Sequence, residues 1–309
     1  MLLAGSANEA LAEAVATGLG VRLAHREVAR FPDGELHVQV LDSVRGQDVY
    51  LLQPTSPPCD QHLLELLFLA DACRRAGAGR LTAVVPYFGY ARQDRRASGR
   101  EPVAVRVVAD LLATCGLQRV VAVDLHSTGL EAVFGLPLEH LSAVPLLVQA
   151  VRRQVPPNGV VVAPDFGAAR LAERYAGLLG LPAAIVHKQR VTGETVSVRA
   201  LTGDVQGRAP LVVDDMISTG GTVVAAIEAL LAAGCVPDVT VIASHALLVG
   251  PAVERLQRAG LRRLVVTDSV APARVGGLSL QVVTLAPLLA DAIRRLHEDR
   301  SLSDLIVHQ

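Results

Sequence analysis

The chain has 309 residues, of which 51% are hydrophobic and 19% are charged, and its net charge at pH 7 is -1. This length and composition predict about two globular domains with a large core, and they argue against intrinsic disorder. A near-neutral charge without a basic block argues against nucleic-acid binding that depends on phosphate neutralisation. No apolar run of about 18 residues lacks charges or turn signals, so we expect no membrane span and no membrane partner.

The N-terminus and the cysteines bear on the cellular compartment. No basic segment precedes an apolar core at the N-terminus, so no signal peptide is expected. The four cysteines (Cys59, Cys73, Cys115 and Cys235) are scattered, without a C-x-x-C pair. They are typical of reduced, mostly buried thiols in a cytoplasmic protein rather than of zinc ligands.

Short apolar runs alternate with amphipathic segments along the chain, which predicts alternating strands and helices. In the first half we expect strands over 2–5, 27–30, 36–40, 48–52, 81–85 and 120–123, and helices over 8–17, 60–76 and 102–115. In the second half we expect strands over 160–163, 183–186, 211–213, 239–243 and 264–267, and helices over 143–154, 167–179, 223–233, 251–259 and 287–298. This alternation predicts an α/β fold with parallel sheets and right-handed crossovers.

A weak internal repeat is also visible, because residues 121–129 echo residues 211–220 with one residue inserted. The repeat predicts two similar lobes that meet at a cleft carrying the strand ends, where ligands bind in such sheets.

The stretch 211–222 predicts a ligand site. Its apolar strand ends at Asp214 and Asp215, two carboxylates that are costly to bury unless they bind hydroxyls or a cation. Ser218, Thr219, Gly220, Gly221 and Thr222 follow and lead into a helix, a pattern that suits a phosphate. Together they indicate a site for a phosphorylated sugar. The alternative is a helix cap at Ser218 or Thr219 beside two solvated acids.

Lys188 is the only lysine among the 29 lysine and arginine residues. A lone lysine suggests a place where a compact ammonium is needed and a planar guanidinium will not serve, although chance retention is the alternative. Because Gln189 follows it, this lysine is not part of a Walker A phosphate loop. The kinase-like sequence at 165–167 lacks the other kinase motifs and is treated as accidental.

Two further clusters follow predicted strands. Arg92, Gln93 and Asp94 belong to an arginine-rich loop that could hold a polyphosphate and read a base edge; the alternative is a solvated basic loop. His126 and Asp165 each lie at a strand end. They could share a Mg²⁺ ion, with substrate phosphates and waters completing its shell, although a single histidine is more often structural.

Seven motifs occur in order over nearly the whole chain. They are Phe31-x-Asp-Gly-Glu35, Pro86-Tyr-Phe-Gly-Tyr-Ala-Arg-Gln-Asp94 with Arg100-Glu-Pro102, Val123-Asp-Leu-His126, Pro164-Asp165, Lys188-x-Arg190, Val213-Asp-Asp-x-Ile-x-Thr-x-Gly-Thr222 and Gly250-Pro-Ala-Val-Glu-Arg255. In these motifs the chain resembles the ribose-phosphate pyrophosphokinase family.

The resemblance implies two phosphoribosyltransferase-like lobes, each a mostly parallel sheet flanked by helices. Residues 1–142 are expected to form an ATP-binding lobe on which a C-terminal helix within 285–309 packs, and residues 143–284 a ribose-5-phosphate-binding lobe. The implied reaction moves the β,γ-diphosphoryl group of ATP to the C1 hydroxyl of ribose 5-phosphate, with Mg²⁺ as cofactor. The products are 5-phosphoribosyl 1-diphosphate and AMP. The resemblance also implies self-association, as dimers that build into hexamers or tetramers.

The resemblance also assigns roles to residues, one motif at a time. The positions that hold adenine and the ATP phosphates in the family correspond to Phe31, Asp33, Glu35, Arg92, Gln93 and Asp94. His126 and Asp165 match positions associated with the metal. Asp214 and Asp215 match those that bind the ribose hydroxyls, and residues 218–222 match the loop for the 5-phosphate. Lys188 and Arg190 match catalytic cations on a mobile loop, where Gly193 suits a lid.

The chain departs from the family pattern after His126, where Gly129 and Glu131 replace two glutamines. We therefore expect an altered response to phosphate and ADP.

Two other functions stay open. A phosphoribosyltransferase would share residues 214–222 but has no need of residues 92–94. A non-catalytic regulatory paralogue of the synthetase is expected to have lost active-site residues.

Overall fold

The computed structural model describes residues 1–96, 98–190, 196–272 and 275–306. The chain divides into two units, each with its own parallel sheet and its own apolar core. The first unit contains Met1–Ser142, Ser269–Ala271 and Thr284–Gln309, and the second contains Ala143–Asp268 and Pro272–Val283. The predicted α/β class, with a mostly parallel sheet in each of two lobes, is confirmed.

Strands and helices alternate along the chain. The strands are β1 (Leu2–Ala4), β2 (Arg26–Arg30), β3 (Leu36–Val40), β4 (Asp48–Leu52), β5 (Arg80–Val85), β6 (Arg119–Val123), β7 (Leu138–Leu141), β8 (Gly159–Ala163), β9 (Ala183–Arg190), β10 (Val196–Thr202), β11 (Ala209–Ile217), β12 (Thr240–Ala246), β13 (Arg263–Thr267) and β14 (Leu280–Val283). The helices are α1 (Glu9–Leu19), α2 (Cys59–Arg75), α3 (Ala104–Thr114), α4 (Val144–Val151), α5 (Ala169–Leu179), α6 (Gly221–Ala232), α7 (Ala252–Arg258) and α8 (Ala286–His297).

The first unit contains a five-stranded parallel sheet in the order β1-β4-β5-β6-β7 and a separate antiparallel hairpin of β2 and β3. Beyond their first residues, β4, β5 and β6 are buried throughout, which explains their continuous apolar sequences. Helix α2 packs on β3, β4 and β5, and α8 returns from the C-terminal end of the chain to pack on α1.

The second unit contains a seven-stranded sheet in the order β10-β9-β8-β11-β12-β13-β14. All neighbouring strands are parallel except β9 and β10, which form an antiparallel hairpin at one edge. Helix α5 packs on β8, β9 and β11, while α4 packs on β12, β13 and β14. The valine-rich strand β8 and strand β12 are fully buried, as expected for the centre of a parallel sheet.

Local signals explain where several helices begin and end. The Asn8 side chain accepts a hydrogen bond from the Leu11 N–H at 3.2 Å and caps α1. Gly20 ends α1 and Gly180 ends α5 in the left-handed conformation, at φ angles of 72° and 71°. In the described stretches of the chain, no helix has the length and apolarity needed to cross a bilayer.

Two boundaries in the second unit differ from the sequence-based prediction. Strand β11 does not end at Val213 but runs on to Ile217, because β12 continues to pair with it beyond Asp214. Strand β9 does not end at Val186 but runs on to Arg190, because β10 pairs with it there. The prediction that Lys188 and Arg190 lie on a loop is therefore wrong, whereas Gly193 falls outside the described residues.

The carboxylate of Asp48, the first residue of β4, connects α8 to the first sheet through hydrogen bonds. It accepts hydrogen bonds from Arg80 Nε and Nη2 at 3.0 and 2.5 Å and from the Tyr50 hydroxyl at 3.0 Å. His297 Nδ1 of α8 lies 3.0 Å from the same carboxylate. Partial burial opposes its ionisation, but the donors from Arg80, His297 and Tyr50 outweigh that effect and lower the pKa of Asp48.

We expect Asp48→Asn to lower the free energy of unfolding at pH 7 by about 1–3 kcal/mol, because charge-assisted hydrogen bonds are lost. With a pKa lowered by folding, the carboxylate contributes its full stability above the unfolded-state pKa of about 4. That contribution is lost as the pH falls through the folded-state value. Urea titrations at pH 7 and pH 3 should therefore show a difference that shrinks on acidification.

Asp71→Asn is the matched control, because Asp71 pairs with Arg74 and Arg75 on the surface of α2. Exposed ion pairs contribute little, so its effect should be smaller. An Asp48→Asn effect of equal size at both pH values would contradict the assigned role.

Candidate active site

The turn between β2 and β3 carries Phe31, Asp33 and Glu35. Its main chain is closed by hydrogen bonds from the Phe31 N–H to the Glu35 carbonyl and from the Gly34 N–H to the Phe31 carbonyl, both 2.9 Å. Asp33 Oδ1 accepts the Glu35 N–H at 3.1 Å. The Phe31 side chain is 51% exposed, and its ring centroid lies 5.2 Å from that of His37. The turn thus presents an aromatic face beside two carboxylates, which suits a planar base with amine donors.

Arg92, Gln93 and Asp94 lie in the segment that follows the carboxyl end of β5. The Gln93 N–H donates to the Tyr90 carbonyl at 2.9 Å, and the Gln93 carbonyl accepts the Val105 N–H of α3 at 3.4 Å. Arg92 and Gln93 are exposed and Asp94 is half-buried. An ordered main chain therefore presents a guanidinium and an amide to solvent, a combination able to bind phosphate oxygens.

His126 follows β6 in a segment held by two backbone hydrogen bonds. The Asp124 N–H donates to the Leu141 carbonyl at 3.0 Å, and Asp124 has a positive φ of 38°. The Leu125 N–H donates to Nε2 of the buried His140 at 2.7 Å. The exposed imidazole of His126 is thereby carried on a fixed backbone at the carboxyl end of the strand.

Asp165 follows β8 in the second unit and is half-buried. Its Oδ1 accepts the Gly167 N–H at 3.0 Å and caps the short 3-10 helix Phe166–Ala168. Phe166 beside it is 74% exposed, with its ring 6.3 Å from that of His187 on β9. Within the described residues, no group of three or more His, Cys, Asp or Glu side chains is arranged to hold a metal.

Asp214 and Asp215 lie inside β11, beyond the last residue of that strand that pairs with β8. Asp214 Oδ1 accepts the Asp215 N–H at 3.0 Å, and Asp215 Oδ1 accepts the Met216 N–H at 2.8 Å. Burial raises the pKa of Asp214 well above its ordinary value, and interactions with Asp215 and with the charge of Asp165 raise it further. The second unit thus gathers three carboxylates whose mutual repulsion a cation or hydroxyl donors can relieve.

The segment 218–222 leaves β11 and opens α6. Gly220, at a φ of 75°, is the N-cap of the helix, and Gly221 and Thr222 belong to its first turn. A glycine has no side-chain oxygen with which to cap the first N–H groups, so these donors are suited to an anion. The Val249 N–H donates to the Ser218 carbonyl at 3.0 Å, which fixes the turn.

Arg255 on α7 was given no role by the sequence analysis. Its Nη1 donates to the Thr219 carbonyl at 3.3 Å, so it holds the turn before α6 from outside. In the sequence, Arg255 is marked only by its place in the motif 250–255, and that motif does not indicate which residue it contacts.

Lys188 and Arg190 lie two residues apart in β9, where the backbone pairs them with Val198 and Val196 of β10. Residues at this spacing share one face of a strand. The register of the ladder shifts between Val198 and Ala200, next to the point where Val198 pairs with Lys188. The side chains of residues 188–190 fall outside the described part of the structure, so the predicted contacts of the two cations stay predictions.

Comparisons with known proteins cover nearly the whole chain. The family model for the N-terminal domain of ribose phosphate pyrophosphokinase matches residues 1–116, and that for the phosphoribosyl synthetase-associated domain matches residues 189–307. The ribose-phosphate pyrophosphokinase of Staphylococcus saprophyticus is 41% identical over 302 residues, covering 96% of this chain and 94% of the relative. That of Caldanaerobacter subterraneus is 40% identical over 306 residues, covering 98% and 96%.

A solved structure agrees with these sequence relatives. The crystal structure of phosphoribosylpyrophosphate synthetase from Mycobacterium smegmatis has a TM-score of 0.90 and 39% identity, covering 97% of this chain and 99% of that one. The similarity therefore extends over both units and is not confined to the motifs. The chain belongs to the ribose-phosphate pyrophosphokinase family, as its motifs predicted.

Proposed function

We propose that the chain transfers the β,γ-diphosphoryl group of ATP to the C1 hydroxyl of ribose 5-phosphate, giving 5-phosphoribosyl 1-diphosphate and AMP. The observation that carries this proposal is the arrangement at the end of β11. An acid pair is followed closely by the glycine-capped start of α6. Carboxylates that can accept hydrogen bonds from hydroxyls therefore lie next to main-chain N–H groups that can donate to a phosphate. These are the two groups needed to bind a sugar phosphate.

The ribose 5-phosphate site uses both features. The 5-phosphate accepts hydrogen bonds from the segment 218–222 and gains from the positive end of the α6 dipole. The ribose hydroxyls donate to the carboxylates of Asp214 and Asp215. Binding gives those carboxylates donors, which offsets part of the repulsion that raises the pKa of Asp214.

The ATP site draws on the first unit. Phe31 stacks on adenine, while Asp33 and Glu35 accept hydrogen bonds from its exocyclic amine. Arg92 neutralises phosphate charge, and Gln93 and Asp94 complete the hydrogen bonds to the nucleotide. The support is the exposure of Phe31, Arg92 and Gln93 on main-chain segments that are themselves hydrogen-bonded.

His126 and Asp165 are the residues that we assign to Mg²⁺. The fit rests on donor chemistry: Asp165 would supply a hard oxygen ligand, and His126 an imidazole nitrogen, with substrate phosphates and waters completing the shell. Bound Mg²⁺ supplies charge neutralisation for the phosphates.

In the transfer step the C1 oxygen of ribose forms a bond to the β-phosphorus of ATP and its proton is released. The bond from that phosphorus to the oxygen bridging the α- and β-phosphates breaks, and this oxygen leaves with AMP. Catalysis of this kind is positioning together with neutralisation of the equatorial oxygens. Lys188 and Arg190 supply that neutralisation. This role explains why the chain keeps one lysine although its other basic side chains of this kind are all arginines.

The exposed apolar side chains of the first unit support self-association of the chain. Leu64 and Phe68 lie one turn apart on α2 and are 42% and 40% exposed. Val107 and Leu111 lie one turn apart on α3 and are 54% and 41% exposed. We infer that this apolar surface contributes to a contact between copies of the chain. The four free cysteines, all in the described structure, support a cytoplasmic location.

The direct test is AMP formation from ATP, Mg²⁺ and ribose 5-phosphate, with and without inorganic phosphate. We expect activity without added phosphate, because Glu131 places a carboxylate in the segment where relatives carry glutamine. Its Oε1 lies 3.8 Å from Nδ1 of the buried His140. Activity that appears only with phosphate would show that the activating site persists. A lack of AMP under every condition would leave the regulatory paralogue or the phosphoribosyltransferase.

We expect Lys188→Ala to lower kcat by about 100- to 1,000-fold, the usual effect of removing one donor from a developing charge. Circular dichroism should show an unchanged fold. Lys188→Arg is the matched variant, since it keeps the charge and changes its shape. An unchanged kcat for Lys188→Ala would remove this residue from the mechanism.

We expect Asp214→Asn to raise the KM for ribose 5-phosphate by about tenfold or more, because hydrogen bonds to a charged acceptor are lost. Without ligands, the same variant should be at least as stable as the wild type at pH 8. Folding raises the pKa of Asp214, so ionisation destabilises the folded chain as the pH rises above the unfolded-state value. Thermal unfolding at pH 5 and pH 8 checks this; a loss of stability confined to pH 8 would contradict it.

A further inference from the structure

Thr55 lies in the segment that follows β4 and is 2% exposed. Its hydroxyl accepts the Gly89 N–H at 2.7 Å and donates to the Tyr87 carbonyl at 3.3 Å. Its own N–H donates to the same carbonyl at 2.9 Å. One buried side chain thus ties the segment after β4 to the segment after β5, 34 residues away.

Gly89 explains why the two segments approach so closely. A Cβ at this position would lie 2.5 Å from the Thr55 carbonyl oxygen, closer than packed atoms allow. The next residue, Tyr90, has a φ of 66°, and its carbonyl accepts the Gln93 N–H. The course of the chain from Gly89 to Gln93 is therefore set by the contact with Thr55 and by the turn at Tyr90.

We propose that Thr55 is a positioning residue for ATP, acting through its hydroxyl on the main chain that carries Arg92 and Gln93. The inference rests on the proposed function, because it takes those two residues as ligands of ATP. Both are exposed, so the only restraint on their placement that this structure describes is on their main chain. Small displacements of such groups weaken binding, since preorganised geometry is what makes each contact favourable.

Removing the hydroxyl separates this role from packing. In Thr55→Val the side chain keeps its shape, but the buried Gly89 N–H loses its acceptor, and the segment must shift to satisfy that donor. Thr55→Ser keeps the hydroxyl and loses only a methyl group. The proposal therefore ties the effect to the hydroxyl.

The experiment measures kcat and both KM values for the wild type, Thr55→Val and Thr55→Ser, with ATP affinity by calorimetry on the same samples. We expect Thr55→Val to raise the KM and the Kd for ATP by about tenfold, equivalent to 1.4 kcal/mol. The KM for ribose 5-phosphate and kcat at saturating ATP should change by less than about twofold. Thr55→Ser should restore ATP affinity. Thr82→Val, at another buried threonine of the first unit, is the control and should leave ATP affinity unchanged.

The outcomes are distinguishable. Unchanged ATP affinity in Thr55→Val, or equal defects in Thr55→Val and Thr55→Ser, would overturn the proposal. If Thr55→Val does not fold, Thr55→Ala is compared with Thr55→Ser in the same way. A wild type that binds ATP without forming AMP would refute the proposed function while calorimetry still decides the role of Thr55. A wild type that does not bind ATP would refute both.

Discussion

Both sheets are built around parallel strands whose two faces are covered, and this constraint determines where chemistry can occur. Strand β8 is wholly apolar, whereas β5 and β12 bury a few polar side chains, among them Thr82, Ser244 and His245. A polar group at such a position must find its hydrogen-bond partner inside the protein. Many of the polar candidates lie in the segments that follow the strands. Arg92 follows β5, His126 follows β6 and Asp165 follows β8, each at a carboxyl end.

Asp214 and Asp215 differ from these residues because they lie inside a strand, β11, as Lys188 and Arg190 lie inside β9. The ladder with β8 has already ended there, so the acids lie in a part of the strand that pairs with β12 but not with β8. Burial, together with repulsion from the neighbouring carboxylates of Asp215 and Asp165, raises the pKa of Asp214. Hydroxyl donors or a positive charge placed beside these carboxylates would relieve that repulsion.

The sequence predicted the central strands because a continuous apolar run is a local signal. It missed β7, β10 and β14, which lie at sheet edges. The sequences Leu138–Leu141 and Leu280–Val283 include half-exposed positions and so do not read as buried strands. The true ends of β9 and β11 were missed because they depend on pairing with β10 and β12, which no local pattern encodes. The Thr55 contact with Gly89 is hidden for the same reason. Motifs located the candidate residues, but only the fold shows what holds them.

The hairpin of β9 and β10 sets the backbone positions of Lys188 and Arg190. Among the residues that the structure describes, strand β9 pairs with β8 over its first three residues, and from Val186 to Arg190 it pairs with β10 alone. That part of the hairpin is a two-stranded ribbon held by its own ladder of backbone hydrogen bonds. Lys188 and Arg190 occupy the same ribbon, about 7 Å apart along the strand. The ladder with β10 therefore fixes the backbone spacing of Lys188 and Arg190, which a loop would leave variable.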